Sequence, residues 1–547
     1  MKILILGGYG MFGGRLVELL GDDPALTFMV AGRSLDKAQA FCDGLDIAAE
    51  LVPLELDRLN IAAAIETQRP DLVVDASGPF QAYGGDPYHV AKEAIAAGID
   101  YYDFADGAEF ASGIDQLDQA ARSADVTILS GVSSFPILSG AVLAELEDKI
   151  PIEKVEAGIA PSPFAGFGMS VMRAVLSYAG TPIERLESGQ KAAGLGLVES
   201  RYFTIAPPGK TPLRRRRFTL IDVPDLTILP HRYPRITDIW FGVGTLPAYL
   251  HRLLSLMARM RRYRLLPRLD RFSGVAMRAL RALRAGEDRG GMYVAVSGKG
   301  RRIEWHLLAE TTDGPYIPSL PIAALIKKRM KGQRFAAGAR IPKTELSLKD
   351  ILDCAGDRAI FAGFREPIEG SLFERHLGKA MIKAPQIVQN FHKLSAPQRY
   401  VGEAKITRGT HPIARLIARL MGFPDAGENV PAAVTISRDA DQERWTREFA
   451  GKEFQSVLTQ GKGKDQYLMR ERFGPITISL AIVVEGDRIY FNPRRWDLLG
   501  IPMPKFLLPD GGSYETERDR LYHFDVKMTF PIIGLIVAYR GWLKPAA

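Results

Sequence analysis

At 547 residues, with 46% hydrophobic and 24% charged side chains, the chain is too long for one core and too apolar for wholesale disorder. Its net charge of +8 is concentrated: ten arginines, no lysine and a single acid lie between Arg252 and Arg284, which leaves the rest near neutral. No helix-turn-helix, zinc or aromatic RNA-binding signature accompanies that segment, which argues against nucleic acid. About three domains are expected from the length. The two cysteines, Cys42 and Cys354, form no ligand pattern and fit a reducing, cytoplasmic setting. No run approaches the roughly 18 apolar residues of a membrane span. The first strand starts so near Met1 that no signal or transit peptide is expected.

That strand, Ile3 to Leu6, runs into Gly8-Tyr9-Gly10-Met11-Phe12-Gly13, and a helical segment follows at residues 15–20. G-x-G-x-x-G between a strand and a helix is a dinucleotide-binding fingerprint. Gly8 is expected to make the tight turn, Gly10 to let backbone approach a pyrophosphate, and Gly13 to let helix and strand pack closely. Tyr9, Met11 and Phe12 complete the loop, and the helix start offers free N–H groups to phosphate. The same glycines also fit G-x-x-G-x-x-G through Gly7, Gly10 and Gly13.

The second strand, residues 26–31, ends at Arg33 and Ser34, with Asp36 just beyond. A guanidinium and a hydroxyl suit a 2′-phosphate, so NADP(H) is favoured over NAD(H). The bland alternative is an arginine that faces solvent or caps the next helix. Asp57, after the third strand at 49–56, suits the adenine side or caps a helix. The fourth strand, 72–76, runs into Ser77, Gly78, Pro79 and Phe80, which are placed on the nicotinamide side. A helix at 90–97, a strand at 101–104, a helix at 114–123 and a strand at 126–130 continue the alternation of a parallel sheet.

The ordered motifs GGYGMFGG, VAGRS, DASGPFQAYGG, AGIDYYDFADG and GVSSFPILSG resemble the saccharopine-dehydrogenase-like reductases. GEDRGGMYVAVSG (286–298) and DGPYIPSLP (313–321) extend the resemblance more loosely. It implies a Rossmann domain (1–135), a mixed α/β substrate domain (136–366) and a nicotinamide cofactor between them. It leaves the substrate open, because family members act on very different molecules.

Beyond the first domain the sequence is apolar and basic. Phe164, Phe167, Met169, Val171 and Met172 precede a helix in which positions 249, 253, 256 and 260 make one apolar stripe, with Arg252, Arg259 and Arg262 elsewhere on the wheel. A second helix at 272–283 repeats the mixture. Either both stripes pack on the core and the arginines are solvated, or the 249–284 segment lies on a membrane surface. Arg214 to Arg217 either bind phosphate headgroups or guard a strand edge. An apolar, lipid-like or polyketide-like substrate is expected.

No acid–base residue stands out. Tyr88 and Lys92 match Y-x-x-x-K, yet sit on the helix after the fourth strand, too early for a proton donor. Tyr83, Tyr102, Asp106, Ser133 and Ser134 fall on loops at strand ends, where substrate meets nicotinamide. His306, within a strand, reads as packed. The eight histidines form neither H-x-H nor H-E-x-x-H, so no metal is expected.

In the last third (367–547), helices at 372–379, 385–394 and 413–421 precede strands at 432–437, 444–449, 454–458, 467–472, 476–484, 488–491, 520–529 and 532–539. These predict an antiparallel meander. Gly427-Glu428-Asn429-Val430-Pro431, Glu443-Arg444-Trp445-Thr446-Arg447, Arg472-Phe473-Gly474-Pro475 and Tyr539-Arg540-Gly541-Trp542-Leu543 resemble a bacterial domain of unknown function found behind saccharopine-dehydrogenase-like modules. Such a sheet either holds an apolar ligand, with Trp445, Trp496 and Trp542 as candidate lining, or serves docking, including a homodimer. The fold class expected is α/β followed by α+β. Its alternative function is a non-catalytic nucleotide-bound sensor or scaffold.

Overall fold

The computed structural model describes residues 1–546 apart from 166–167, 245–247, 283–285, 395 and 440. The chain divides into two compact units: Met1–Phe203 with Arg216–Ile360, and Thr204–Arg215 with Phe361–Ala547.

In the first unit, β1 (Lys2–Leu6), β2 (Thr27–Gly32), β3 (Glu50–Glu55), β4 (Leu72–Asp75), β5 (Asp100–Asp103) and β6 (Thr127–Leu129) form a parallel sheet of order β3-β2-β1-β4-β5-β6. Unbroken apolar runs suit strands covered on both faces, and Ile3, Leu4, Ile5, Val73 and Val74 are all buried. Strand order reverses between β1 and β4, which opens a crevice at their carboxyl ends. The helix α1 (Met11–Leu20) leads away from β1, and α2 (Leu35–Asp43) from β2.

A second, mixed sheet follows. It contains β7 (Lys154–Ala160), β10 (Ser200–Phe203), β11 (Arg216–Leu220), β12 (Asp238–Val243), β13 (Arg289–Gly298) and β14 (Arg301–Glu310), in the order β10-β11-β12-β7-β13-β14. The strands β8 (Pro182–Glu187) and β9 (Gln190–Leu195) form a separate hairpin. Phe218, Trp240, Tyr293 and Trp305 are buried within this layer. Late in the unit, β15 (Gly338–Arg340) returns to the first sheet and pairs in parallel with β6. The strand β16 (Ile360–Arg365) then carries the chain across the boundary between the units.

The second unit is a barrel. Its strands are β17 (Gln398–Arg408), β18 (Gly427–Asp439), β19 (Gln442–Phe449), β20 (Lys452–Gln460), β21 (Met469–Phe473), β22 (Ile476–Glu485), β23 (Arg488–Leu498), β25 (Ser513–Arg518), β26 (Leu521–Phe530) and β27 (Gly534–Pro545). Each pairs antiparallel with its neighbours, β22 with β23 and β17 with β27 included, so ten strands close on themselves. The two-residue β24 (Ile501–Pro502) only extends β23. Residues alternate in and out along each strand: Glu443, Trp445, Arg447 and Phe449 of β19 are buried, and their neighbours are not. The expected meander lacked β17 and β25, and those two strands convert it into a closed wall. Helices Leu372–Leu377 and Gln386–His392 cover one end. There the backbone amide of Leu372 donates to Glu443, and Arg375 pairs with Asp441 in the β18–β19 turn.

Candidate functional site

Four glycines shape the β1–α1 loop. Gly7 takes a left-handed φ of +73°, and a Cβ there would lie 2.7 Å from the Ala76 carbonyl oxygen at the end of β4. Gly7, not Gly8, therefore makes the tight turn. Gly8 is instead pressed against β2, where a Cβ would meet Val30 Cα at 3.0 Å. A Cβ on Gly10 would stand 2.9 Å from the Gly7 carbonyl oxygen, and one on Gly13 only 2.4 Å from that same atom. The G-x-x-G-x-x-G spacing is thus the one that the backbone uses. Gly10 begins α1 with no side-chain cap, so the amides of Met11, Phe12 and Gly13 lack intrahelical acceptors. Such a bare helix start, on a loop whose glycine positions admit no Cβ, has the geometry that could hold a phosphate.

At the tip of β2 the Tyr9 ring lies against Gly32, whose Cβ would fall 2.4 Å from it. Arg33, the next residue, is exposed. Ser34 caps α2, its hydroxyl accepting from the Lys37 amide at 3.5 Å. Asp57 likewise caps a turn of helix by accepting from the Leu59 amide at 3.0 Å.

Beyond β4, the Asp75 carboxylate is buried and accepts from the amide (2.9 Å) and hydroxyl (2.6 Å) of Ser77, and from the Tyr83 hydroxyl at 3.1 Å. Burial raises the pKa of Asp75, and burial plus the Asp75 charge raises that of Tyr83. Tyr83 is thereby committed to this cluster, with the Arg58 guanidinium 3.8 Å above its ring. Phe80, after Gly78 and Pro79, packs on Tyr83 and Phe110. At the end of β5, Asp103 accepts from the amides of Ala105 and Gly131 and from the Ser130 hydroxyl. Burial pushes it up to about 7.

A cavity of about 1280 Å³, counting its opening to solvent, starts at Met11 and Phe12 of the glycine loop and reaches the second sheet. Its walls are mainly apolar, including Phe104, Phe135, Ile159, Val175, Ile221 and Met292. Three groups that titrate line it: Asp106, Tyr178 and Asp222. The Gln81 amide donates to Asp106 at 3.0 Å. Asp106 is half-buried and Asp222 is exposed to the cavity, and the protein crowded around each raises both carboxyls by desolvation. Tyr178 is raised by burial and by the charges of both.

Of the sequence candidates, Asp106, Ser133 and Ser134 reach the cavity, whereas Tyr102 is buried. The Tyr88 hydroxyl donates to the Phe110 carbonyl, and Lys92 pairs with Asp86, so they form no Y-x-x-x-K site. His306 is buried in β14 near Glu304. Asp222 and Tyr178 were not anticipated, because neither belongs to a motif. The position of Asp222 after the apolar end of β11 was its only signal.

The apolar stripe of the first arginine-rich helix does not face a core. In helix Ala248–Arg262 the buried residues are small or polar: His251, Ser255 and Ala258. His251 Nε2 lies 2.9 Å from Thr219 Oγ1. Tyr249, Leu253 and Leu256, three of the four stripe residues, are 57%, 51% and 55% exposed, which overturns the core-packing reading for them. Tyr263, Leu265, Phe272 and Val275 continue the exposed apolar surface among exposed arginines. Helix Ser273–Ala282 packs on helix Met169–Ser177, whose Val175 lines the cavity. Phe167 lies outside the described residues. Arg216 is buried and donates to the Pro161 and Arg289 carbonyls, a structural use of the arginine run.

In the second unit, unfilled space of about 930 Å³, counting its mouth, runs inside the barrel. Residues 385–543 match the Domain of unknown function (DUF4166). The match agrees with the resemblance read from residues 427–543 and spans all ten strands of the barrel. Comparison with curated proteins gives no match. Among solved structures, the chain is similar to saccharopine dehydrogenase (L-Glu forming) from Saccharomyces cerevisiae, at 13% identity over 66% of this chain and 99% of that one, with a TM-score of 0.49. It is also similar to amine dehydrogenase from Mycobacterium smegmatis (11% identity, 63% and 95% covered, TM-score 0.35). A third is the WlbA dehydrogenase from Thermus thermophilus, solved with NAD and α-ketoglutarate (12%, 66% and 93%, TM-score 0.30). In the barrel Trp445 lines the interior and Trp496 is buried, while Trp542 lines an outer groove with Glu403 and Arg540.

Proposed function

We propose that the first unit is a nicotinamide-dependent oxidoreductase that prefers NADP(H) and acts on an apolar, lipid-like substrate. The observation that carries this reading is one continuous cavity. It joins a loop whose glycine positions have no room for a Cβ to an apolar chamber holding only a few polar groups. Gly7, Gly10 and Gly13 with the first amides of α1 would hold the diphosphate, Tyr9, Arg33 and Ser34 the phosphorylated adenosine, and Gly78 to Phe80 the nicotinamide side. When bound, the cofactor supplies the hydride.

The chain itself supplies orientation, water exclusion and a proton. Asp106 and Asp222 have raised pKa values, so each keeps a proton to higher pH than a free aspartic acid. A protonated carboxyl at the cavity wall is suited to donate to an oxygen that gains charge during reduction.

An apolar substrate also accounts for the outward-facing helices. Exposed leucines, tyrosines and phenylalanine interleaved with arginines match an anionic bilayer surface in both hydropathy and charge. Helix Met169–Ser177 links that surface to the cavity wall. Among the described residues no helix is long and apolar enough to cross a membrane.

Calorimetric titration tests the cofactor assignment. Arg33→Ala is expected to weaken NADPH binding by about tenfold or more, the loss of a charge-assisted contact to phosphate, with little effect on NADH. Equal losses for both coenzymes defeat the 2′-phosphate role, and no heat with either defeats the whole reading.

A further inference from the structure

The barrel of the second unit encloses apolar space of its own, independent of the oxidoreductase reading. Its closed end is filled by aromatic rings: Phe391 stacks on Tyr522 at 3.8 Å, and Phe373 on His392 at 3.7 Å. The interior continues through Val434, Leu458, Phe473, Leu480 and Phe524 to a mouth at Pro509, Gly511 and Met528. Around that end the loop and turn residues Leu499, Phe506 and Ile532 are 77%, 72% and 88% exposed. An unfilled apolar barrel with an apolar rim at its open end is built to admit an apolar molecule.

The buried charges restrict which molecule that is. Arg447, 8% exposed, donates to Ser456 Oγ at 2.7 Å and to Glu471 at 3.2 Å. Ser456 in turn donates to Glu471 at 2.7 Å. Deeper in, His392 pairs with Glu515 at 2.5 Å. Inside the barrel Arg447 is thus already matched by Glu471, with Glu515 beyond it and the exposed Lys527 lining only the mouth, so an anion that entered deeply would meet two carboxylates beside one paired cation. A neutral polar end, in contrast, finds a donor and an acceptor side by side in Arg447, Ser456 and Glu471.

We propose that the DUF4166 barrel binds one uncharged single-chain lipid, an alcohol, ester or amide, with its polar end toward Arg447 and Glu471 and its chain toward the mouth.

The full chain, titrated with the dye N-phenyl-1-naphthylamine, provides the test. Fluorescence should rise, and 1-hexadecanol should displace the dye at a concentration about tenfold lower than palmitate, given the cost of burying an unmatched charge. The first-unit cavity is also apolar and large enough to take up dye, so the barrel signal is defined by two filling variants, Leu458→Trp inside and Met528→Trp at the mouth. Each should remove a hexadecanol-displaceable component while far-ultraviolet dichroism stays unchanged; Met292→Trp, in the other cavity, should leave that component. If either barrel variant fails to fold, the other decides. A signal insensitive to the folded barrel variant overturns the site. Palmitate displacing as well as hexadecanol overturns the preference for an uncharged ligand.

Discussion

Gly13 makes the strictest demand of any residue in the glycine loop. A methyl group there would sit 2.4 Å from a backbone oxygen that cannot swing aside, so α1 itself would have to shift. Gly13→Ala is expected to destabilise the protein by about 1–3 kcal/mol and to abolish coenzyme binding, as read by thermal melting and by titration. Asp103 makes a different demand, one that pH reveals. Folded, it holds its proton up to about pH 7; unfolded, it releases it near pH 4. The folded state therefore binds more protons between those values, and stability falls as pH rises through that window, by at most about 1.4 kcal/mol per pH unit. Asp103→Asn should flatten that slope in urea melts taken from pH 4 to 7. The flattening is partial, because Asp225, buried against Ser139, is also pushed up to about 7. At this scale the sequence revealed which glycines matter but not the part each plays. Gly7 and Gly8 are adjacent letters, and only the neighbouring strand ends decide which one turns. Asp57 was ambiguous, and the cap made by Ser34 was missed, for a related reason: short oxygen-bearing side chains at strand ends cap helices as readily as they meet ligands.

The elements of the parallel sheet were legible because buried strands and their glycine turns leave strong local patterns. The barrel was legible only in part. β17, with Gly402 and Glu403 at its centre, and the polar six-residue β25 show little apolar alternation, yet without them the sheet stays open. Periodicity also found the stripe of helix Ala248–Arg262 without revealing its direction, since a hydrophobic face looks the same whether it meets a core or a bilayer. That direction is testable. Leu253→Glu with Leu256→Glu should remove co-sedimentation with phosphatidylserine vesicles and leave the melting temperature within about 2 °C, because both side chains are exposed. Binding that persists, or that is equal on neutral phosphatidylcholine vesicles, counts against a charged interface.

On the scale of the whole molecule, the second unit does not consist of one continuous stretch. Residues Thr204–Arg215 belong to it. Within it, the Val484 amide donates to the Gly209 carbonyl, Arg365 Nε donates to the Ala206 carbonyl at 2.6 Å, and Lys210 lies over the Phe361 ring. A fragment 361–547 should therefore melt below the same fragment mixed with a 204–215 peptide, by several degrees if two buried hydrogen bonds are restored. Identical melts would show that the segment is dispensable.

The same insertion has a consequence for synthesis. Residues 204–215 leave the ribosome some 330 positions before the last barrel strand, a wait of roughly 20–70 s at ordinary elongation rates. With prolines at 207, 208 and 212 and basic residues at 210, 214 and 215, the segment is a poor partner for stray strands during that delay. It can therefore stay unpaired on the nascent chain until the wall it belongs to is complete.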